Sequence, residues 1–431
     1  MSIFSQQKLP EWLPRLSPQI WILAFGRFLS QTGTGFTIFY TTIFFVNQVG
    51  LSATQVGLGL GSAQISGIIG RLLSGVICDS PKWGRKRTLL LSCILSSIAS
   101  FLLASSHNFS TMVTGNLLMG FAIGLYWPAT ETVVADLTVS ENRKEAFAVV
   151  RLADNLGLQV GIILGGLLIV VTGNYRTLFI IDGISYLIFL GVIYIAIQES
   201  YQTATSHERG ENQDHAGEIR GRENPWIHAL HDRALLIYVI VNILFTLYVA
   251  ILQNIIPLYF TNFVKVPTYP KGFSTEIITG LFALNTFLSV ILQLPILRYI
   301  RHFSHVKALM ISASLWGISF IFIGLTGMLN YGNIIWAIFG LGISAIALVC
   351  YIPSASALVA DLAPDNARGI YLSINSQCWG MGYLIGPPLG GLIFDQGKIA
   401  ADNFWVGMVL SVAGVMFILQ HLDRALIKSK K

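Results

Sequence analysis

Six ionisable residues interrupt long apolar stretches of this chain: Arg27, Arg71, Glu131, Arg151, Asp154 and Asp182. A charge at the centre of a bilayer costs about 2.5–3.5 kcal/mol on insertion scales, so such residues face protein, water or one another. Three chemistries fit the set. The arginines can extend towards headgroups while the acids neutralise them. The acids can take and release a proton within a gate or coupling network. The surplus positive charge can hold an anionic ligand. Counting residues from the ends of the apolar stretches puts all but Asp182 in one layer, roughly 7–12 Å deep. All six lie in the first half of the chain. The second half offers neutral amides instead, among them Asn242, Gln253, Asn254, Asn285, Gln293, Asn375 and Gln377. No phosphate-binding loop, metal-ligand cluster or nucleophile–base constellation is visible, which disfavours an enzyme. No cofactor is expected. The four cysteines fall in or beside apolar segments without metal-ligand spacing and read as helix packing.

The elements that must position these residues are membrane spans. Of the 431 residues, 54% are hydrophobic and only 11% charged, against roughly 25% charged in soluble chains. Twelve stretches approach the 20 apolar residues a spanning helix needs: 20–46, 54–77, 88–106, 111–135, 146–171, 176–197, 235–261, 276–299, 306–326, 333–360, 369–394 and 403–422. The expected fold is an all-α membrane protein. An even number of crossings puts both termini on one side. The loops and tails of that side carry twenty Lys and Arg against four on the other, which places both termini in the cytoplasm. The net charge of +6 forms no continuous patch, so no nucleic-acid partner is expected. Residues 1–17 lack the apolar core of a removable signal peptide.

The chain also contains one stretch twice. Residues 126–167 align without a gap on residues 351–392, with 13 of 42 positions identical. These include Tyr126/Tyr351, Pro128/Pro353, Asp136/Asp361, Arg143/Arg368 and four glycines in register, a pattern that shared hydrophobicity does not produce. Half-length repetition in membrane-type sequence is the mark of a two-fold transporter. The expected organisation is two pseudo-symmetric six-helix bundles, 1–197 and 235–431, joined by a polar linker at 198–234.

After helix 2 the sequence places Gly75, then Asp79, then Gly84, Arg85, Lys86 and Arg87. This loop resembles the loop 2–3 motif of the major facilitator superfamily, with two extra residues between Asp79 and Gly84. Together with twelve spans, a central linker and the repeat, the resemblance covers essentially the whole chain. It implies a latch in which Asp79 faces the start of helix 11 near Arg368, and Arg85 pairs with Asp79 and Asp136. Gln253, Pro257, Asn285 and Pro295 look like the drug:proton antiporter branch. Two departures stand out: Asn116 occupies the helix 4 position where proton-coupled members carry Arg, and Ile162 follows Gly161 where exporters carry Pro. The family analogy further implies a cavity lined by helices 1, 4, 7 and 10, with Tyr40, Tyr126, Trp127, Gln253, Asn254 and Tyr351 as candidate lining. Because helix 4 lines that cavity, Glu131 leads the coupling candidates, with burial expected for it. Arg27, Arg71, Arg151 and Asp154 complete the coupling or gate set. The implied activity is alternating access by a monomer in a plasma membrane, the bacterial inner membrane. Its leading form is proton-coupled efflux of a small amphipathic compound. A sugar or glycoside permease and a non-transporting receptor or assembly factor are the alternatives.

Overall fold

Each of the twelve apolar stretches forms a helix, with the ends displaced by a few residues from their expected positions. The structure, a computed structural model, describes residues 16–78, 80, 83–138, 143–197, 229, 231–264, 272–364 and 368–429. Helix α1 spans Pro18–Ile38 and continues, after a break at Phe39, through Tyr40–Ile43 and a π-helical turn at Phe44–Gln48. There follow α2 (Ala53–Cys78), α3 (Gly84–Ala104), α4 (Phe109–Asp136), α5 (Arg143–Thr172) and α6 (Arg176–Ala196). The second half comprises α7 (Arg233–Asn262), α8 (Thr275–Ile300), α9 (His305–Met328), α10 (Asn333–Leu362), α11 (Arg368–Phe394) and α12 (Lys398–Ser429). Ten of these are each long and apolar enough to cross a membrane. The other two, α1 with Arg27 and Gln31 and α11 with Asn375, Gln377 and two prolines, are more polar. Of the expected linker, only residue 229 and residues 231–234 are described; Asp79 also lies outside the described residues.

Why the halves share a plan is written in the repeated glycines. Gly157 and Gly161 of α5 meet the carbonyl oxygens of Phe28 and Thr32 on α1 so closely that a Cβ would overlap them. Of their counterparts on α11, Gly382 lies as close to the hydroxyl and backbone of Thr246 and to the backbone of Leu247 on α7, while Gly386 packs less tightly on the Ala250 side chain. Backbones approach this closely only where side chains are absent. The last glycine of each copy turns outward to the other half: Gly166 abuts Thr279 of α8, and Gly391 abuts Ala53 of α2. Two seams therefore join the halves, α2 with α11 and α5 with α8.

The seams close at the end remote from the two termini, here called the far end. Asp395, just past α11, accepts the backbone N–H groups of Ala53 and Thr54 at 2.8 Å each. Asn47 and Asn262 pair their amides reciprocally at 3.0 Å. Tyr40 and Tyr175 of the first half share hydrogen bonds with Thr279 (3.0 Å) and Thr275 (3.2 Å) of α8. Nearer the middle, Thr286 donates to Gln159 at 2.5 Å. Every hydrogen bond found between the halves among the described residues lies between this level and the far end.

Candidate functional site

The Gly face of α5, extended one turn towards the termini end, reaches Asp154, three residues before Gly157. On α1 the matching position is Arg27. The two side chains form a two-point ion pair: Arg27 Nε donates to Asp154 Oδ1 at 2.7 Å, and the second guanidinium nitrogen meets Oδ2. Both residues are buried, 2% and 7% exposed. The guanidinium carbon also stands 5.3 Å from the Tyr126 ring centre and 5.1 Å from that of Trp127, both on α4. Aromatic faces hold a desolvated cation favourably, so three helices converge on one charge. The Tyr126 hydroxyl is buried beside it without a hydrogen-bond partner among the described residues.

The remaining members of the expected layer are arranged differently. Glu131 and Arg151 approach only to 3.8 Å, with side chains 53% and 69% exposed. The expectation of a buried Glu131 is corrected: among the described residues the buried carboxylates are Asp154 and Asp182. The reason is rotational. Glu131 falls off the α4 face that carries Tyr126, Ala129 and Val133 into the core. Arg71 stands apart on α2. Asp182 accepts from Ser100 at 2.6 Å inside the first half and is not a member of the ion pair.

In the second half the place of the ion pair is taken by neutral groups. Tyr351, the repeat partner of Tyr126, donates to Asn242 of α7 at 2.6 Å. Asn242 in turn donates to Asn375 of α11 at 2.8 Å, and Tyr238 donates to the same oxygen at 2.7 Å. Arg27–Asp154 joins the first and fifth helices of its half; Asn242–Asn375 joins the first and fifth of the other. This network was not anticipated, although Asn375 lies one turn before Trp379, the repeat position of Asp154. Phe245 stacks on Tyr351 at 4.7 Å, and Trp379 follows at 6.3 Å.

Of the expected cavity lining, Gln253 accepts from Tyr383 of α11 and remains half-buried. Asn254 is buried and donates to Ala250 of its own helix at 3.0 Å. Tyr40 lies in the far-end seam, 1% exposed, because α1 breaks immediately before it. A crevice between α7, α11 and α12, bordered by Leu244, Leu389 and Phe404, contains none of the ionised layer.

At the loop motif, Gly75 lies in the last turn of α2, and Gly84 opens α3 with φ +77°, a left-handed geometry that favours glycine. The turn delivers Arg85 to Asp136 at the end of α4, 2.9 Å away, with both side chains 11% exposed. Lys86 reaches the Tyr194 carbonyl of α6 at 2.9 Å. In the other half, Asp361, the repeat partner of Asp136, lies 3.3 Å from His305 at the start of α9. The pairing of Asp79 and Arg368 falls outside the residues whose side chains are described.

The sequence matches the Major Facilitator Superfamily over residues 23–284 and 267–431. The chain belongs to that superfamily. Among relatives, it is 24% identical over 424 residues to the quinolone resistance protein NorA of Staphylococcus aureus (strain MSSA476), covering 96% of this chain and 100% of NorA. It is also 24% identical over 397 residues to a Na(+), Li(+), K(+)/H(+) antiporter of Planococcus maritimus, covering 88% and 89% of the two chains. The nucleoside transporter NupG superposes with a TM-score of 0.74 at 15% identity, over 94% of this chain and 99% of NupG. A D-xylose-proton symporter superposes with a TM-score of 0.71 at 16% identity, over 93% and 96%. These similarities make this major facilitator superfamily member a multi-pass membrane transporter, and its relatives are transporters rather than enzymes.

Proposed function

We propose that this protein exports a small amphipathic compound from the cytoplasm across a bacterial plasma membrane in exchange for protons, with both termini inside. The observation that carries the reading is the buried Arg27–Asp154 pair under Tyr126 and Trp127. Removing one partner of a buried pair costs about 3–5 kcal/mol, because the other charge stays behind without compensation. Inverting a two-state equilibrium from 1:99 to 99:1 takes about 5.5 kcal/mol. Protonation of Asp154 therefore supplies most of such an inversion, a shift of about 100- to 5000-fold in the ratio of the two states, and leaves the remainder to other contacts. The far-end seams, closed through Asp395, Asn47 and Tyr40, fit an inward-facing state in which the acid is ionised. Arg85–Asp136 holds the loop after α2 against the end of α4 on the inner side, where the latch is proposed to form. The full-length similarity to NorA and to a cation/proton antiporter supports export with proton exchange.

A second reading, a sugar or glycoside permease, is favoured by one feature: the phenol and amide network of Tyr238, Asn242, Tyr351 and Asn375 suits hydroxylated ligands. Proteoliposomes separate the readings. The parent is expected to respond to an imposed pH gradient, and Asp154→Asn to lose that response while sparing counterflow. An Asp154→Asn protein that follows the gradient as the parent does refutes the coupling assignment. Binding without counterflow would indicate a receptor.

A further inference from the structure

Arg71 takes part in none of the ion pairs or hydrogen bonds found among the described residues. It is half-buried on the face of α2 that forms the seam with α11. Gly57 and Gly61 of that face press on the backbone at Pro387 and Leu384, which fixes the register of the two antiparallel helices. Fourteen residues beyond Gly57, the Arg71 backbone comes level with Ser373. Its guanidinium nevertheless reaches Gly380: the point where a Cβ would stand on Gly380 is 3.9 Å from Arg71 Nη1 and 3.9 Å from Gln64 Oε1. Gly380 is seven residues, roughly 10 Å, nearer the far end. The side chain thus runs towards the middle of the span and away from the nearer headgroups, the direction helical Cβ geometry favours here. That is the opposite of snorkelling. Trp379, next to Gly380 in sequence, stacks with Tyr383 at 6.5 Å, a broad aromatic surface on the same helix.

We propose that Arg71 anchors the acidic group of an amphipathic organic anion, such as an aromatic carboxylate, whose apolar body lies on Trp379 and Tyr383. A bare guanidinium in a low-dielectric seam lacks what a carboxylate supplies, a two-point acceptor matching its fork. Gly380 presents no side chain to the guanidinium, and Gln64, whose Oε1 stands there, can turn its amide to donate to the anion. The substrate class rests on the transport reading above; the anion site itself does not.

The test uses purified protein in phosphatidylcholine nanodiscs with two probes, 2-naphthoxyacetate and its amide. Parent protein is expected to bind the acid more tightly than the amide. Arg71→Gln is expected to weaken the acid about 10- to 100-fold and leave the amide unchanged, with Arg71→Lys intermediate. Unchanged amide binding also certifies that the variant is folded. Equal affinity of the parent for acid and amide, or parent-like acid binding by Arg71→Gln, overturns the proposal. If phosphatidylglycerol in the nanodisc abolishes acid binding, the cation belongs to a lipid phosphate, and the substrate assignment is overturned. Arg71-dependent binding without acid counterflow in proteoliposomes refutes transport while supporting the anion site. Acid counterflow indifferent to Arg71→Gln refutes the anion site and leaves transport standing.

Discussion

Replacing Asp395 should unlock the far-end seam. The first turn of α2 is capped from two sources. Ser52 and Gln55 form a reciprocal capping box, with Gln55 N–H donating to Ser52 Oγ at 3.1 Å and Ser52 N–H to Gln55 Oε1 at 3.0 Å. The next two orphan donors, Ala53 and Thr54, are satisfied only from the other half, by the two Asp395 oxygens at 2.8 Å. Loss of an N-cap acceptor costs about 0.5–2 kcal/mol, and the exposed position of Asp395 favours the lower part of that range. About 1 kcal/mol is a roughly fivefold change in the ratio of closed to open molecules. Asp395→Ala should show this in full; Asp395→Asn, which keeps one acceptor, should show less. Burial opposes ionisation of Asp395, but the hydroxyl and N–H of Thr54, the N–H of Ala53 and the Ser52 hydroxyl together outweigh it and hold the carboxyl below its usual range. Because the value is depressed in the closed form, the lock is fully present above about pH 4 and is lost as pH falls through the depressed value. Spin labels at exposed Gln48 and Gln396 would report the distance across the seam. A distance distribution in Asp395→Ala identical to the parent at pH 7 would sink this reasoning, as would a parent distribution unchanged on acidification below pH 4.

Gly161→Ala should force α1 and α5 apart at the Thr32 carbonyl and destabilise the protein by about 1–3 kcal/mol, visible as a lower Tm in detergent. Gly84→Ala places a Cβ at φ +77°, a cost of about 1–2 kcal/mol, and should loosen the Arg85–Asp136 contact as seen by faster proteolysis of that loop. Gly391→Val should block approach of α2 at Ala53 while leaving each half folded, so the seam distance should lengthen at unchanged circular dichroism.

Much of the scaffold was legible because length, hydropathy and small residues act locally. Twelve spans and the glycine register of α5 and α11 follow from periodicity and from the absence of a Cβ at repeated positions. The pairing of charges was less legible, since it depends on helix rotation. Arg151 and Asp154, three apart, would be expected to share a face, yet only Asp154 lies on the stripe with Gly157 and Gly161 that meets α1. Reading that stripe one turn back would have singled out Asp154 over Glu131. Tyr40 was misplaced because the break at Phe39 carries no proline or glycine to announce it. Asp395 was missed because a cap supplied across the two halves leaves no trace in the sequence around α2.

The close glycine contacts have a mechanical consequence. Where main chain lies directly on main chain, no side chain stands between the helices to change rotamer and permit sliding. Helix α1 must then travel with α5 as a single body, whereas α7 meets α11 partly through the side chains of Thr246 and Ala250. The same main-chain contact recurs at the joint between α2 and α11, where Gly57 and Gly391 meet the carbonyls of Pro387 and Ala53, so a reorientation that opens this joint has to part the two main chains rather than slide one along the other.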